Sequence, residues 1–371
     1  MTATETPEPY GVGARAAGAE IAAPELPYRP RDPRRTRPAI ALIGCGGVAE
    51  HHLRAYRTAG YRVVALVDPV RERATARRDE FYPGAAVFAN HAALFASDLR
   101  VEVVDVATHP EGRETIVADV LRAGKHVLSQ KPFVLDLAAG ERLVELAARG
   151  GRRLAVNQNG RWAPHFAWMR EAVRAGLVGE VAAVDAVVHW NHEWVAGTRF
   201  DATPDLILFD FAVHWFDFLA TVIARPARRV MAAVARAPGQ RARPPLLGHA
   251  LVEYDGARAV LAFHGASRHL QRDTTIVAGS AGSLVASGPD LLTQSVTLHR
   301  AAGLSRPVLE GSWFVDGFHG AMGELLCAIE EDREPTHSAR DNLRTLALAF
   351  AAVASSRSGE PCGPGEVRGI A

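Results

Sequence analysis

Short apolar runs alternate with amphipathic stretches from Pro38 onward. The runs predict strands, and the stretches between them, with apolar positions three or four residues apart, predict helices. This regular alternation predicts a parallel sheet covered by helices on both faces. The predicted strands are Ala39–Ile43, Val63–Val67, Val103–Ala107, His126–Leu128 and Leu154–Val156, and the predicted helices are Val48–Thr58, Pro69–Phe81, Arg113–Ala123 and Leu137–Arg149.

The pattern changes after Asn159, where strand-like segments follow one another with Gly and Pro turns between them. This order predicts a largely antiparallel sheet. The predicted helices are Phe166–Ala175, Leu206–Val222, Val315–Glu331 and Ala339–Ser355, and the predicted strands are Val181–His189, Arg229–Arg236, Ala250–Tyr254, Ala259–Phe263, Asp273–Val277 and Val296–Leu298.

These patterns predict an α/β protein with three parts. Residues 1–37 are rich in proline, which removes backbone donors, and predict an extended N-terminal arm. Residues 38–159 predict a doubly wound Rossmann domain that binds NAD or NADP. Residues 160–371 predict an α+β domain with a large, mostly antiparallel sheet, which binds substrate and forms oligomers.

Composition narrows the class of protein. The 42 Lys and Arg residues nearly balance the 41 Asp and Glu residues, so the chain lacks the basic excess of a nucleic-acid-binding protein. We find no apolar run long enough for a membrane span and no secretory signal. The three separated cysteines, Cys45, Cys327 and Cys362, fit neither a disulfide framework nor a zinc knuckle, and they indicate a cytoplasmic protein.

A glycine-rich run follows the first predicted strand and opens a helix. Its sequence, GCGGVA from Gly44 to Ala49, allows a tight turn and a close approach of backbone amides to a pyrophosphate. Asp68 ends the second strand, where a carboxylate accepts ribose hydroxyls and repels a 2′-phosphate, which favours NAD over NADP. Arg71 and Arg73 oppose that preference, and a plain turn with a surface Asp is the structural alternative. The expected contacts of the loop are Gly44, Gly46, Gly47 and Val48.

Lys131 stands at the end of the fifth predicted strand, between Gln130 and Pro132. Ligands of open parallel sheets bind beyond the carboxyl ends of the strands, so Lys131 is expected to face the nicotinamide. A lysine there can stabilise developing alkoxide charge. The alternative is a surface lysine that ends a strand.

Asp210 and His214 are four residues apart in a strongly apolar predicted helix. That spacing places both on one face, where a buried carboxylate beside an imidazole satisfies both groups. Such a pair suits removal of a proton from a hydroxyl group. The alternative is a structural Asp–His bond in the core.

These motifs together resemble the glucose–fructose oxidoreductase / inositol dehydrogenase / MocA family over about residues 38–365. The resemblance implies hydride exchange between a nicotinamide cofactor and a secondary carbinol or ketone of a sugar, sugar derivative or cyclitol. It also implies that Lys131 and His214 are catalytic and that Asp210 orients His214. Weaker matches are Gly124–Val127, Arg161–Pro164 and Gly176–Gly179.

Two departures from the family pattern concern the cofactor site. Gln130 stands where the family usually has Glu, which removes a charge beside Lys131. Thr108-His109-Pro110 is followed by residues 111–114 without the family's frequent His. We nevertheless expect the remaining cofactor contacts to come from Arg71, Thr108, His109, Gln130, Lys131 and Asn159.

Two polar and aromatic clusters are candidates for the substrate pocket, because sugar sites combine amides and imidazoles with flat apolar faces. The expected substrate contacts are Arg161, Trp162, Asn191 and His192, with packing at a domain seam as the alternative. We expect no metal, since His189 and His192 would point to opposite faces of a strand. Cys45 lies inside the phosphate loop and is a poor candidate for a nucleophile.

Two rival functions remain open. An NAD-dependent glycosidase would use transient oxidation to loosen a glycosidic bond, and a silent dinucleotide sensor would bind the cofactor without chemistry. We also expect a homodimer or homotetramer, formed through the exposed face of the second sheet, because its apolar strands exceed what the closing helices can cover. No nucleic-acid or membrane partner is expected.

Overall fold

Residues 18–370 are described by the computed structural model, and the part of the predicted arm before residue 18 lies outside them. The first half forms a parallel sheet, as predicted, but with six strands where five were predicted, in the order β3-β2-β1-β4-β5-β6. Its central strands are wholly buried, since helices cover both faces. The strands are β1 (Ala39–Ile43), β2 (Arg62–Val67), β3 (Ala86–Phe88), β4 (Val103–Val106), β5 (His126–Gln130) and β6 (Leu154–Asn157).

All four helices predicted around this sheet are present within a few residues of the expected bounds. β3 and a short following helix were missed, because elements of three and five residues are too short to show a period. The helices are α1 (Gly47–Thr58), α2 (Arg71–Phe81), α3 (His91–Phe95), α4 (Arg113–Arg122) and α5 (Leu137–Arg149).

A second sheet has eight strands in the order β14-β13-β12-β11-β7-β10-β9-β8. Every neighbouring pair is antiparallel except β7 and β10, which confirms the mostly antiparallel prediction. The strands are β7 (Val181–His189), β8 (Ala227–Ala235), β9 (Leu247–Tyr254), β10 (Ala257–His264), β11 (Arg272–Gly279), β12 (Gly282–Gly288), β13 (Ser295–Arg300) and β14 (Gly303–Ser305).

The remaining helices are α6 (Pro164–Arg174), α7 (Val213–Val222), α8 (Trp313–Glu330) and α9 (Ala339–Ser358). Although α8 is near the end of the chain, it packs against α1 and helps to cover the first sheet. The other closing helix, α9, packs against α5, α7 and β8. The domain boundary at residue 159 stays a prediction.

The predicted continuous helix Leu206–Val222 is wrong in its first part. Residues Leu206–Phe211 form a π-helical turn, and regular α-helical geometry begins only at Val213. A π-helical turn is wider than an α-helical turn, so residues on either side of it lose the alignment that a spacing of four would give. Asp210 lies inside this turn, whereas His214 lies in the α-helix that follows it.

The described part of the arm, residues 18–37, contains no helix or strand of its own. It pairs with β14 through hydrogen bonds from Ile21 N–H to the Leu304 carbonyl and from Leu304 N–H to the Ala19 carbonyl. Near β1, backbone N–H groups of Arg34 and Arg35 donate to Glu330, at the end of α8. Within residues 18–370, no helix combines the length and hydropathy that crossing a bilayer requires.

Candidate active site

Four turns meet at one edge of the first sheet because its strands are parallel. Gly44 follows β1, Asp68 follows β2, Thr108 lies just beyond β4, and Lys131 follows β5. In open parallel sheets the ligand site lies at this carboxyl edge. The fold therefore brings the sequence-predicted cofactor residues of the first half to one side of the sheet.

The glycine loop has the shape that a pyrophosphate requires. Gly44 has φ +95°, and a Cβ there would stand 2.8 Å from the Ala107 carbonyl oxygen, so only glycine fits. A Cβ on Gly46 or Gly47 would meet nothing within 4 Å, which leaves that side of the loop open. Gly46 caps α1 without a side-chain acceptor. The first turn of α1, including Val48, thus offers backbone donors to an anion.

Asp68 is buried, and both of its carboxylate oxygens accept backbone N–H groups. Oδ2 accepts from Cys45 at 2.8 Å and Oδ1 accepts from Val70 at 2.8 Å, so Asp68 holds the glycine loop to the end of β2. A carboxylate keeps further lone pairs, and the ribose contact of Asp68 stays a prediction. Arg71 is exposed at the start of α2. Burial and the Asp68 charge raise the pKa of Cys45 to about 12, which leaves an inert thiol.

The turn after β4 carries Thr108 and His109. The Thr108 hydroxyl is buried without a hydrogen-bond partner in the described part of the chain, so its cofactor contact stays a prediction. The half-buried His109 ring packs 5.5 Å from the ring of Phe200, and burial lowers its pKa. The Thr108 carbonyl also accepts from the Arg113 guanidinium.

Lys131 is held by the π-helical turn of the second half. Its Nζ lies 2.9 Å from the Asp210 carbonyl oxygen and 3.3 Å from the Asp210 carboxylate Oδ1. Both side chains are about a fifth exposed, so the pair is open to one side. The structure thus joins the carboxyl edge of the first sheet to the segment that carries His214.

In the structure of residues 18–370, Asp210 and His214 do not form the expected hydrogen bond. The π-helical turn moves Asp210 away from the His214 face and toward Lys131. The His214 Nδ1 is buried with no hydrogen-bond partner among the described residues. Burial, aided by the Lys131 charge, holds the pKa of His214 well below its usual range, so the imidazole is neutral near pH 7. A neutral imidazole beside Lys131 can accept a proton.

The Gln130 side chain points into the core and not toward the cofactor position, which corrects its expected contact. Its Oε1 accepts the Lys131 N–H at 2.7 Å, and its Nε2 lies 3.2 Å from His52 Nε2. The other nitrogen of His52, Nδ1, lies 2.6 Å from Asp105 Oδ2, which also accepts from the Tyr56 hydroxyl at 2.6 Å. A buried chain of hydrogen bonds therefore ends on the backbone of Lys131.

Asn159 and Trp313 bring the two halves of the site together. The Trp313 Nε1–H donates to Asn159 Oδ1 at 3.2 Å, and the Trp313 ring lies 5.5 Å from the His214 ring. Trp313 begins α8 and was missed from the sequence, because it lies far along the chain from both partners. It packs the cofactor candidate Asn159 beside the catalytic candidate His214.

Arg161 lines the same small cavity as His214, but other protein groups occupy the side chains of Arg161 and Trp162. Arg161 is buried and donates twice to Asp217 at 2.7 Å and once to Asp341 at 2.6 Å. A buried cation needs such counter-ions, so these carboxylates occupy the guanidinium. Trp162 is also buried and packs edge-on against His337. Both residues serve packing, the alternative that the sequence left open.

His192 lies near the reacting groups, whereas Asn191 does not contact them. The His192 ring is buried among Trp190, Trp194 and Phe211, and its Nδ1 has no partner in the described part of the chain. Burial lowers the pKa of His192 to about 4, and the charges of Asp210 and Lys131 act on it from nearby. Asn191 is exposed, and its Oδ1 accepts the Glu193 N–H, so it stabilises a turn.

A metal site is not formed by the described residues. Among residues 18–370, no group of three or more His, Cys, Asp or Glu side chains is arranged to hold a metal ion.

Known protein families match both halves of the chain. Residues 39–158 match the family described as "Oxidoreductase family, NAD-binding Rossmann fold", and residues 166–285 match the "GFO/IDH/MocA C-terminal domain". A D-apiose dehydrogenase from Paraburkholderia graminis is 28% identical over 335 residues, which cover 86% of this chain and 88% of the relative. An inositol 2-dehydrogenase from Rhizobium meliloti is 24% identical and covers 85% of this chain and 96% of its own.

A solved structure shares the whole fold. An oxidoreductase from Agrobacterium radiobacter, crystallised with NAD+, L-tartaric acid and magnesium, superposes with a TM-score of 0.80 at 21% identity. The match covers 89% of this chain and 99% of that protein. Both sheets and their connection are therefore shared with a protein that binds NAD+.

Proposed function

The chain belongs to the glucose–fructose oxidoreductase / inositol dehydrogenase / MocA family of NAD-binding oxidoreductases, and we propose that it acts on a secondary carbinol of a sugar, sugar derivative or cyclitol. The observation that carries the proposal is the contact of Lys131 Nζ, at the carboxyl edge of the first sheet, with Asp210 in the turn that precedes the helix of His214. The dehydrogenase relatives that act on D-apiose and inositol support this class of substrate.

The residues of the site have separate roles in this proposal. Bound NAD supplies the hydride acceptor. The Lys131 Nζ donates a hydrogen bond to the reacting oxygen and stabilises its developing negative charge. His214 accepts the hydroxyl proton, because burial keeps its imidazole neutral. Asp210 binds the Lys131 ammonium and so orients it, which replaces its expected role toward His214.

A substrate panel tests this function. The purified protein is mixed with NAD and, in turn, D-apiose, inositol and related polyols, and NADH absorbance is followed. We expect steady NADH formation with at least one polyol and none with Lys131→Ala. Cleavage of an aryl glycoside without net NADH would instead establish the glycosidase alternative. Binding of NADH with no turnover of either class would establish the sensor.

Cofactor choice is a finer part of the proposal. NAD is expected to bind more tightly than NADP, because Asp68 would repel a 2′-phosphate. The exposed Arg71 or Arg73, at the start of α2, could override it. Calorimetric titration with both cofactors decides between them, and equal or tighter NADP binding would contradict the preference.

The outward face of the second sheet supports a homodimer or homotetramer. Met231, Leu251 and Val260 are paired neighbours on β8, β9 and β10, and each is between 36% and 41% exposed. Such a contiguous apolar row is unusual on a monomer surface. A monomer mass by light scattering at micromolar concentration would rule out the oligomer.

We place the protein in the cytoplasm, where buried reduced cysteines are stable.

A further inference from the structure

Arg113 is a buried cation at the first position of α4. Its side chain is almost entirely inaccessible, and no carboxylate lies within ion-pair distance of it among the described residues. Burying a charge without a counter-ion is costly unless hydrogen bonds satisfy it. Arg113 is therefore expected to make hydrogen bonds that compensate for the burial of its charge.

Its contacts are backbone carbonyls of two separate turns. Nη2 donates to the carbonyl of Thr108, in the turn after β4. Nη1 donates to the carbonyls of Gln130, at the end of β5, and Pro132, on either side of Lys131, and lies 3.4 Å from the Phe133 carbonyl. Nε has no partner among the described residues. One planar guanidinium thus joins the two turns that carry the predicted nicotinamide contacts. A lysine ammonium is a compact point charge and cannot span the same three acceptors in this geometry.

The charge is retained under ordinary conditions. Burial lowers the pKa of Arg113 to about 9, and the charges of Asp210 and Glu111 oppose the shift. The guanidinium is consequently protonated near pH 7, and its hydrogen bonds are charge-assisted and strong. The adenosine end of the site, formed by the glycine loop and Asp68, has no contact with Arg113 among the described residues.

We propose that Arg113 is a positioning residue for the nicotinamide end of the cofactor site, because its guanidinium fixes the Thr108 turn against the Lys131–Pro132 turn. The inference rests on the proposed function for the placement of nicotinamide beside Lys131. Loss of the guanidinium lets the two turns separate while the phosphate loop keeps its shape. Arg113 then affects the affinity for the nicotinamide half of the cofactor and spares the adenosine half.

Two ligands distinguish the nicotinamide end of the site from its adenosine end. NADH occupies both ends, whereas ADP-ribose lacks the nicotinamide ring and occupies the adenosine end, formed by the glycine loop and Asp68. Calorimetric dissociation constants are measured for the wild type, Arg113→Met and Arg113→Lys. The matched control is Arg122→Met, which removes an exposed Arg of α4 that is paired with Asp119. Thermal melts establish that each variant is folded.

We expect Arg113→Met to weaken NADH binding about tenfold or more and to change ADP-ribose binding by less than about twofold. Arg113→Lys should behave like Arg113→Met, and Arg122→Met like the wild type. Equal losses for both ligands, or no loss for either, would overturn the proposal. If the wild type binds NADH no more tightly than ADP-ribose, the nicotinamide placement itself fails, and both proposals fall together.

A wild-type measurement covers the case in which the Arg113 variants do not fold. Hydrogen exchange is compared with NADH and with ADP-ribose bound. Amides of residues 108–113 and 131–134 should gain protection with NADH alone. Equal protection by the two ligands would contradict the proposal without any substitution.

Discussion

The buried polar groups on the two sides of Lys131 differ in whether they have hydrogen-bond partners within the protein. On the side of the first sheet, the polar side chains of Gln130, His52 and Asp105 are hydrogen-bonded to one another inside the chain. On the helical side, the ring nitrogens Nδ1 of His192 and His214 are buried and have no partner among the described residues. Hydrogen bonds between side chains fix geometry on the first-sheet side, where Asp105 Oδ1 is nevertheless also without a partner among the described residues. On the helical side we propose that a ligand supplies hydrogen bonds to the imidazoles.

The two sides of Lys131 also differ in the charge of their buried side chains. The partnered side holds a buried ionised group, the Arg113 guanidinium, because backbone carbonyls surround it. On the unpartnered side, burial lowers the pKa of His192 and of His214, so both rings are neutral. Neutral imidazoles accept protons and hydrogen bonds from hydroxyl groups. We therefore expect substrate chemistry on the helical side and positioning on the side of the first sheet.

The largest expected effect is on the unpartnered side. Replacing His214 by Asn removes the proton acceptor and should lower kcat about 10²–10⁴-fold, while the NADH dissociation constant stays near that of the wild type. The matched control is His269→Asn, which removes an exposed imidazole. Steady-state kinetics and calorimetry measure both quantities. Normal turnover by His214→Asn on the true substrate would make His214 a structural residue.

Lys131 joins the two sides, and its removal should have a comparable effect. Lys131→Ala should lower kcat by a similar factor because the developing alkoxide loses its donor. The double variant with His214→Asn should lose less than the product of the two single losses, since both residues serve one proton movement. A fully multiplicative loss would show that Lys131 and His214 act in separate steps.

Asp210→Asn should be milder, on the order of tenfold in kcat. The Asp210 backbone carbonyl still accepts from Lys131 Nζ at 2.9 Å, and only the carboxylate contact at 3.3 Å loses its charge. The structure thus predicts that Asp210 acts through Lys131 and not through His214. Coupling in a double-mutant cycle should appear with Lys131→Ala and be absent with His214→Asn. The reverse pattern would restore the Asp–His pair.

Much of the fold could be predicted from hydrophobic periodicity, because burial of one face of a helix or strand imposes that periodicity on its sequence. The bounds of β1, α5 and β7 match the predictions to the residue. The errors lie where a pattern is too short or too general. β3 has three residues, β12 is bounded by glycines, and the apolar sequence of Leu206–Phe211 does not distinguish a π-helical turn from an α-helix.

The candidate site was predictable only as far as local motifs reach. Lys131 and His214 come from a strand end and a helix spacing, whereas Trp313, Arg113 and His52 reach the site through tertiary packing. The polarity of Arg161 was correctly noted, but its partners Asp217 and Asp341 lie far along the chain. A sequence shows that a polar residue needs a partner, and the fold determines whether that partner is substrate or protein.

The smallest expected effect concerns Gln130, where the family usually has Glu. Because Oε1 of Gln130 accepts the Lys131 N–H, its Nε2 is the group that faces His52. His52 therefore accepts at Nε2 and donates from Nδ1 to Asp105. In Gln130→Glu this N–H donor is lost, although Asn157 Nδ2 still lies 3.3 Å from His52 Nε2, and two carboxylates flank one imidazole. The buried network can satisfy both only by taking up an additional proton.

Gln130→Glu should consequently change kcat less than tenfold near pH 7, because a Glu oxygen still accepts the Lys131 N–H. Its stability should depend on pH in a defined direction. The folded variant binds one proton more than its unfolded chain, so its free energy of unfolding falls as pH rises, by up to about 1.4 kcal/mol per pH unit. Urea unfolding of the wild type, Gln130→Glu and the exposed control Gln271→Glu between about pH 6 and about pH 9 measures this slope. Parallel curves for all three proteins would show that the network takes up no proton. The buried network would then accommodate a second ionised carboxylate, at position 130.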